Sequence, residues 1–177
     1  MTTIVWANGK LASDSLMSGS GRKKNINATK IFFPKLGETW KVMGRNVLAY
    51  GAAGSLGADA FVEEMLSSAE GLTHRSDFKM MHNLSFSLII VDDTHQAWLL
   101  VGSYKAGSQI PDGFKLFKAE DKTAIGSGAC YAECALRMGH GIKKAVKVAK
   151  SMDLATGGKV QVFKLPKAVK KSRKSPN

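Results

Sequence analysis

The sequence predicts an α+β fold in which two antiparallel sheets carry helices on their outer faces. Three observations favour this class: a hairpin signal at the N-terminus, several short apolar runs separated by turn residues, and a few segments with helical periodicity. The order along the chain is strands, a helix, strands, two helices and a last strand. The 177 residues fit one domain with a single core.

The first two strands are predicted from a hairpin around Asn8-Gly9, the residue pair favoured in a two-residue type I′ turn. In the register that this turn sets, Thr3 faces Asp14, so the N-terminus is held in a sheet beside a carboxylate. Ideal pairing puts Asp14 on the face opposite to Thr2. We therefore expect a bulge or a shifted register that turns the carboxylate towards Thr2.

The other strands are predicted from short apolar runs that are bounded by turn residues. A stretch rich in glycine, serine and basic residues, 18–25, precedes the first of these runs. Residues 72–83 are ambiguous and are compatible with a short helix. The predicted strands are 31–33, 42–43, 47–50, 85–91, 97–101, 123–125 and 160–164.

Three helices are predicted from apolar residues spaced three and four apart. The first begins near Ala58, turns its acidic residues outward and has Gly71 as its stop signal. The second follows the turn at 126–128 and runs from about 129 to 138. The third runs from 142 to about 152.

The formal net charge is +12, and half of this excess lies in residues 164–177. That segment holds six basic residues and no acidic residue. We interpret residues 166–177 as a flexible basic tail on a domain that spans 1–165. Such a tail can contact nucleic acid or an acidic protein, but we favour a solvated, solubilising end.

The composition argues against membrane and metal proteins. No apolar run approaches the roughly 20 residues that span a bilayer, and the N-terminus lacks a basic segment followed by an apolar one. We therefore expect a cytoplasmic protein without membrane contact. The four histidines have no metal-binding spacing, and Cys130 and Cys134 are too few for a zinc site, so we expect neither a metal nor another cofactor. The cysteines are interpreted as small buried side chains.

Thr2 follows Met1 directly, and initiator methionine is generally removed before so small a side chain. Removal would give Thr2 both a hydroxyl and a free α-amine. The α-amine has a reference pKa of about 7.7–8.0, so it can take the proton of the hydroxyl at neutral pH. An N-terminal threonine is thus a nucleophile with its own base, although this feature alone is too common to indicate an enzyme.

Motifs in the rest of the chain give Thr2 its significance. Thr2-Thr3-Ile4-Val5 at the start of a sheet resembles the mature start of HslV and of proteasome β subunits. The resemblance continues to about residue 165, in the same order and with similar spacing. The further matching segments are Ala12-Ser13-Asp14-Ser15, Thr29-Lys30-Ile31, Ala52-Ala53-Gly54-Ser55 with Ala58-Asp59, Ile125-Gly126-Ser127-Gly128 with Tyr131-Ala132, and Asp153-Leu154-Ala155-Thr156-Gly157-Gly158.

The resemblance implies a four-layer αββα sandwich, the fold of N-terminal nucleophile (Ntn) hydrolases, and a role for each matching residue. Thr2 would attack the substrate, Lys30 would lower the pKa of its hydroxyl and α-amine, and Asp14 would orient Lys30. N–H groups around Gly54, with Gly51 as an alternative, would stabilise the oxyanion. Three further residues would bind the α-amine or a water that relays its proton: Ser127, Asp153 and Thr156.

The function that the resemblance implies is that of a threonine endopeptidase, which cleaves polypeptides inside a homo-oligomeric ring. The resemblance also admits an ATP-dependent unfoldase as a partner that feeds the ring. Two alternatives stay open. The chain could be a ring subunit without activity, or an amidohydrolase that acts on a small amide, since the wall of the substrate pocket is not legible in the sequence.

Nucleotide binding is a competing hypothesis. Residues 51–57 follow a predicted strand, open a helix and carry three glycines, and the next strand ends at Asp92, where a ribose-binding carboxylate could lie. However, the glycine spacing is G-x-x-G-x-x-G, whereas dinucleotide-binding loops have G-x-G-x-x-G. Antiparallel hairpins also do not build the parallel sheet that such a site requires.

Overall fold

The computed structural model describes residues 2–19, 22–55, 57–73, 83–104 and 115–165. These residues form an α+β structure with two antiparallel sheets, a two-stranded hairpin and three helices. The strands are β1 (Thr3–Ala7), β2 (Lys10–Ser13), β3 (Met17–Gly19), β4 (Arg22–Asn25), β5 (Ile31–Phe32), β6 (Trp40–Val42), β7 (Arg45–Gly54), β8 (Leu84–Asp92), β9 (Ala97–Tyr104), β10 (Lys115–Lys118), β11 (Thr123–Gly126) and β12 (Gln161–Lys164). The helices are α1 (Ala58–Ser67), α2 (Ala129–Arg137) and α3 (Ile142–Met152).

The smaller sheet has four strands in the order β11-β1-β2-β12. Its centre is the predicted hairpin, and both residues of the turn, Asn8 and Gly9, have positive φ as a type I′ turn requires. The predicted register is confirmed, since Val5 pairs with Ala12. The pairing of β1 with β2 shows no register shift, so the expected bulge is not formed.

The larger sheet has six strands, ordered β10-β9-β8-β7-β5, with β6 also paired to β7. Every described strand pair in both sheets is antiparallel. The sheet therefore lacks the parallel strands on which the nucleotide-binding hypothesis depends, and that hypothesis is wrong in its topology.

Alternate residues of the central strands face different apolar clusters, because successive side chains of a strand point to opposite faces. In β1, Ile4 and Trp6 lie in a cluster that also contains residues of the larger sheet. Val5 and Ala7 face the other way, into a cluster with the buried residues of α2 and α3. These two helices thus cover the outer face of the smaller sheet.

The larger sheet divides its side chains in the same way. In β8, Ile89 and Val91 join the cluster shared with the smaller sheet. Leu88 and Ile90 point to the other face and pack with the apolar side of α1. The two sheets therefore meet across a common core, and α1 lies on the side of the molecule opposite to α2 and α3.

β7 is longer than predicted, since it continues to Gly54 instead of ending at Tyr50. Gly51 lies inside the strand, and a Cβ there would come 2.5 Å from the Ile4 side chain, where the two sheets meet. Gly51 is needed for this close approach and is not at the strand end, so Gly54 alone keeps the position expected for the oxyanion site.

Two structural features were not predicted from the sequence. The β3–β4 hairpin begins at Met17 and covers most of the stretch at 18–25, and β10 precedes β11. Both lack the regular alternation of apolar and polar residues that marks a strand. Of the ambiguous segment 72–83, residues 74–82 lie outside the described residues, as does the predicted basic tail 166–177.

The two cysteines of α2 are not buried, so the interpretation of Cys130 and Cys134 as buried side chains is wrong. Both are exposed, and both are free thiols. The buried residues of α2 are Ala132, Ala135 and Leu136, and positions 130 and 134 fall on the other face of the helix.

Within the described ranges, no helix combines the length and the apolar composition that a membrane crossing requires.

Candidate active site

Asp14 follows β2 directly, and its carboxylate accepts four hydrogen bonds. Oδ1 accepts from the N–H of Thr3 at 2.9 Å and from Nζ of Lys30 at 2.8 Å. Oδ2 accepts from the N–H groups of Leu16 at 3.1 Å and Gly157 at 2.9 Å. Asp14 is 1% exposed, and these donors offset the cost of burying its charge. The carboxylate thus joins the start of β1 to two segments that are distant in sequence.

Lys30 lies immediately before β5 and is 6% exposed. Its ammonium donates to Oδ1 of Asp14 and to the carbonyl oxygen of Leu16, the latter at 2.6 Å. Burial lowers the pKa of Lys30 below its ordinary value, and the charges of Asp14 and Asp153 together with the Asp14 hydrogen bond oppose this shift. Asp14 therefore favours the charged ammonium at a place where desolvation favours the neutral amine.

Thr2 is buried, with 8% of its surface exposed, and lines the same pocket as Lys30. The next residue, Thr3, pairs with Gly126 of β11. Gly126 has a φ of 96°, and a Cβ on it would overlap the carbonyl oxygen of Thr2. Glycine at 126 is thus required for β11 to pass so close to Thr2, which fixes the backbone of Thr2 in place.

Two pockets meet at Thr2. The first, which we call the lysine-side pocket, is lined by Thr2, Lys30 and Gly54, with Met17 and Phe32 among its apolar walls. The second, which we call the serine-side pocket, is lined by Thr2, Gly54, Ser127 and residues of β8. Thr2 therefore lies between two concave surfaces that could each receive a part of a ligand.

Gly54 ends β7 in a conformation that favours glycine. Its φ is 143°, and a Cβ at this position would overlap the carbonyl oxygen of Ser85 and lie 2.6 Å from Cα of Phe86. Both the backbone conformation and the contact with β8 exclude a larger residue. The end of β7 can therefore line the two pockets at Thr2 in this conformation only if residue 54 is glycine.

The N–H of Gly54 points away from β8. The N–H of Ser55, the residue after β7, donates to the carbonyl of Ser85 in β8 at 2.8 Å, so the N–H of the preceding residue, Gly54, faces the opposite edge. On that edge the N–H of Ala52 donates to the carbonyl of Lys30 at 3.2 Å. The N–H of Gly54 is therefore directed to the same side as Lys30, towards the pocket that both residues line.

A second polar network approaches the N-terminus from α2 and the end of α3. Oδ2 of Asp153 accepts from the hydroxyls of Ser127 and Thr156, each at 2.6 Å. Oδ1 accepts from the N–H of Ala155 at 3.0 Å. The hydroxyls of Thr156 and Thr3 are also 2.6 Å apart. A continuous chain of hydrogen bonds thus runs from Ser127 to the residue beside Thr2.

The charge of Asp153 fixes the direction of these hydrogen bonds. Burial by itself would raise the pKa of Asp153, but the hydrogen bonds from Ser127, Thr156 and the Ala155 N–H outweigh it and hold the pKa below its ordinary value. The ionised carboxylate only accepts, so Ser127 and Thr156 donate their protons to it. Thr156 must then accept from the hydroxyl of Thr3.

All seven residues that the sequence analysis selected lie in one region around the start of β1. Five of them form two bonded groups, and four of the seven line the pockets at Thr2: Thr2, Lys30, Gly54 and Ser127. Thr156 reaches the hydroxyl of Thr3, a residue for which no role was predicted. The first group is Asp14 with Lys30; the second is Ser127 with Asp153 and Thr156; Thr2 and Gly54 line both pockets.

Two residues that hold the site were missed in the sequence. Gln161 accepts from the N–H of Lys30 at 3.3 Å and donates to the carbonyl of Ala28 at 3.0 Å, so it fixes the segment before β5. Gly128 packs so closely on the hydroxyl of Thr3 that a Cβ would overlap it. Gly128 belongs to one of the matching motifs, but no role was predicted for it. No local pattern in the sequence indicates that Gln161 of β12 lies beside the segment that contains Lys30.

Asp92 is the residue that the nucleotide-binding hypothesis assigned to the ribose. Its carboxylate accepts hydrogen bonds from the turn that follows it. It accepts from the hydroxyl and N–H of Thr94, from the N–H of Gln96 and from Nε1 of Trp98. Burial would raise the pKa of Asp92, but these hydrogen bonds hold it below its ordinary value. Asp92 therefore stabilises the β8–β9 turn.

Among the described residues, no group of three or more histidine, cysteine, aspartate or glutamate side chains is arranged to hold a metal ion. Neither a comparison with models of known protein families nor a search of curated protein sequences finds a match for this chain.

Proposed function

We propose that this chain is a threonine peptidase of the Ntn hydrolase class, with Thr2 as the attacking residue after removal of Met1. The observation that carries the proposal is the buried ion pair between Lys30 and Asp14, because the same Asp14 oxygen also binds the N–H of Thr3, next to Thr2. A buried lysine is costly unless it is paired. Beside Thr2, its charge can lower the pKa of the hydroxyl and the α-amine.

In the proposed reaction, the α-amine of Thr2 takes the proton of Oγ1 as Oγ1 bonds to the carbonyl carbon of the substrate. The carbonyl oxygen becomes an oxyanion, which the N–H of Gly54 stabilises. The amine then gives the proton to the leaving nitrogen, the C–N bond breaks, and an ester to Thr2 remains. Water, deprotonated by the same amine, hydrolyses this ester and restores the hydroxyl.

Lys30 and Ser127 act on Thr2 from its two sides in this scheme. The ammonium of Lys30 favours negative charge on Oγ1 during the attack. Ser127 donates its proton to Asp153, so its oxygen offers lone pairs to the protonated α-amine or to a water that relays the proton. Thr156 and Asp153 hold Ser127 and Thr3 in position.

The arrangement of the pockets supports a polypeptide substrate. A scissile bond at Thr2 divides its substrate into two parts, and Thr2 lies between the lysine-side and serine-side pockets. The lysine-side pocket has apolar walls that suit a side chain. An extended peptide can fill both pockets, whereas a small amide would fill one, so the peptide is favoured over the small-amide alternative.

The proposal includes the architecture and assembly of the family. The chain would form the four-layer αββα sandwich of Ntn hydrolases and work in the cytoplasm as a subunit of a homo-oligomeric ring, whose chamber admits unfolded polypeptides. An ATP-dependent unfoldase fits this scheme as the partner that supplies them. The closest competing function is that of a ring subunit that has the same fold but no activity.

A peptide epoxyketone tests the proposed function. This reagent reacts with a hydroxyl and an α-amine on the same residue, so we expect it to label Thr2 in protein whose intact mass shows the loss of Met1. Thr2→Ser keeps both groups and should be labelled, whereas Thr2→Ala should be neither labelled nor able to hydrolyse a fluorogenic peptide. Circular dichroism should show that both variants are folded.

The same experiment separates the alternatives. Full turnover by Thr2→Ala would falsify the proposal, as would labelling at Cys130 or Cys134 by a peptide vinyl sulfone in place of Thr2. Retention of Met1 together with assembly into a ring would favour the non-catalytic subunit. Labelling of Thr2 without hydrolysis of any peptide in a library would favour the small-amide enzyme.

A further inference from the structure

The outer surface of α1 is acidic. Between Ala58 and Gly71 the chain has four acidic residues and no lysine or arginine. Glu64 and Glu70 are exposed, and Glu63 is 3.9 Å from the ammonium of Lys35, at the limit of an ion pair. We call this surface the acidic face. The apolar side of α1 is buried against the larger sheet, so Glu64 and Glu70 are turned to solvent. Asp59 lines the lysine-side pocket instead.

The outer surface of α2 and α3 is basic. From Cys134 to Met152 there are five basic residues and no acidic one. These basic residues are all exposed, and we call the surface that they form the basic face. It consists of Arg137, Lys143, Lys144, Lys147 and Lys150.

Four of these charges repel one another along α3. Lys147 lies four residues after Lys143 and three residues from both Lys144 and Lys150, and like charges at these spacings are neighbours on a helix. Among the described residues, the ion pairs within 4.0 Å are those of Lys30 and Lys35, so no lysine of α3 has a carboxylate partner. The basic face therefore lacks the counter-charges that would stabilise it.

The basic face also ends in exposed apolar side chains. Met152 closes α3 and is 59% exposed, and Leu154 two residues later is 98% exposed. Such a mixture of charge and apolar surface suits a protein partner. A nucleic acid backbone would match the lysines but would leave these two side chains in water.

We propose that the acidic face of one copy of this chain docks on the basic face of a second copy. The charges are complementary, and both faces are present at the same concentration in any solution of the protein. Because α1 lies on the side opposite to α2 and α3, the contact joins two different surfaces and leaves one face free on each copy. Association therefore continues head to tail beyond a pair. The contact needs no catalytic residue and is independent of the proposed peptidase activity.

Sedimentation velocity of the full chain tests this proposal through the effect of salt and of charge reversal. Surface charges are screened as the ionic strength rises, so the apparent dissociation constant should increase at least about tenfold between about 50 mM and about 500 mM salt. Lys143→Glu/Lys147→Glu should weaken association at low salt by a similar factor, because it leaves the basic face with three positive and two negative charges. Glu64→Lys/Glu70→Lys should do the same, because it replaces the two exposed carboxylates of the acidic face with lysines.

Mixing the two variants provides the decisive measurement. The basic-face variant keeps its acidic face, and the acidic-face variant keeps its basic face. The mixture should therefore assemble beyond the salt-resistant oligomer, although neither variant does so alone. Two controls carry equal changes of charge on exposed residues elsewhere, Lys10→Glu/Lys118→Glu and Glu38→Lys/Glu120→Lys, and should associate like the parent.

Several results would overturn the proposal. Assembly at about 50 mM salt that is no larger than the assembly at about 500 mM salt, equal weakening in the control variants, or no further assembly in the mixture would each show that the two faces do not meet. Salt-sensitive binding of a short duplex DNA or RNA that only Lys143→Glu/Lys147→Glu abolishes, without salt-sensitive self-association, would assign the basic face to nucleic acid instead.

Discussion

Nζ of Lys30 lies 2.8 Å from Oδ1 of Asp14, and the N–H of Thr3 lies 2.9 Å from the same oxygen. One buried carboxylate oxygen therefore holds both a cation and the backbone next to the proposed nucleophile. The ideal β1–β2 register puts Asp14 on the face opposite to Thr2, and no bulge corrects this. The link from Asp14 towards Thr2 is made by Lys30, which lines the same pocket as Thr2.

Loss of the Lys30 charge should remove most of the proposed activity. Lys30→Ala should lower the rate of peptide hydrolysis at least about 10²-fold, on the scale of general acid–base effects. Lys30→Arg should restore little, because a planar guanidinium does not fit a site built for a compact ammonium. Initial rates with a fluorogenic peptide provide the measurement.

Stability must be separated from catalysis in this test. Removing Lys30 alone leaves the Asp14 carboxylate buried without a cation, which costs about 3–5 kcal/mol in comparable cases. The neutral pair Asp14→Asn/Lys30→Met should regain part of this stability but stay inactive. Lys35→Ala, at an exposed lysine, is the matched control and should keep full activity. Near-normal turnover by Lys30→Ala would show that Lys30 has no part in the reaction.

Gly54→Ala should reduce both stability and activity. The substitution adds backbone strain at a φ of 143°, for which we expect about 1–3 kcal/mol. It also adds overlap with β8, for which we expect about 1–3 kcal/mol more. If the N–H of Gly54 stabilises the oxyanion, its displacement should cost at least about 10²-fold in rate. Urea unfolding and peptide hydrolysis measure the two effects.

Gly37→Ala is the matched control for Gly54→Ala. Gly37 has a φ of 87°, but a Cβ there would meet nothing within 4 Å. Gly37→Ala should therefore lose about 1–2 kcal/mol of stability through backbone strain alone and keep full activity. Equal effects of the two substitutions would mean that the contact of Gly54 with β8 is unimportant.

Asp153 should make stability dependent on pH in the acid range. Hydrogen bonds hold its pKa in the folded state below its ordinary value. The stabilisation is therefore present above the unfolded-state pKa of about 3.9 and is lost as pH falls through the lower folded-state pKa. Asp153→Asn should be less stable than the parent at pH 7, and this difference should shrink below about pH 4.

Urea unfolding at pH 7, pH 5 and pH 3 would measure this dependence. Ser127→Ala removes one of the two hydroxyl donors to Asp153. It should give a smaller difference with the same dependence on pH. A difference between Asp153→Asn and the parent that stays constant from pH 7 to pH 3 would contradict the prediction, because it would mean that ionisation of Asp153 does not stabilise the fold.

The proposed ring should survive conditions that screen surface charge. At about 500 mM salt, where the contact between acidic and basic faces should be weak, sedimentation should still show a discrete oligomer larger than a pair. Peptidase activity should sediment with that oligomer. A stable monomer with full peptidase activity would refute the ring, and an inactive ring would favour the structural subunit.

Local sequence signals accounted for much of the fold. The Asn8-Gly9 turn set the β1–β2 register, because a type I′ turn allows one pairing of the strands that it joins. Apolar periodicity predicted both ends of α2 and α3 within about one residue and the start of α1, whereas α1 ends at Ser67, before its predicted stop signal at Gly71. It could not show that Cys130 and Cys134 lie on the exposed face, because two positions four apart share a face without indicating which one.

The sequence by itself determined which residues belong to the candidate site, since a resemblance in the order and spacing of motifs selected residues from 2 to 156. Only the tertiary structure decided how they bond. Thr156 reaches Thr3, and Gln161 fixes the segment before Lys30, because β12 and the loop after α3 return beside β2 from more than a hundred residues away. Contacts of this kind depend on how sheets and helices pack, and no local pattern of the chain contains that information.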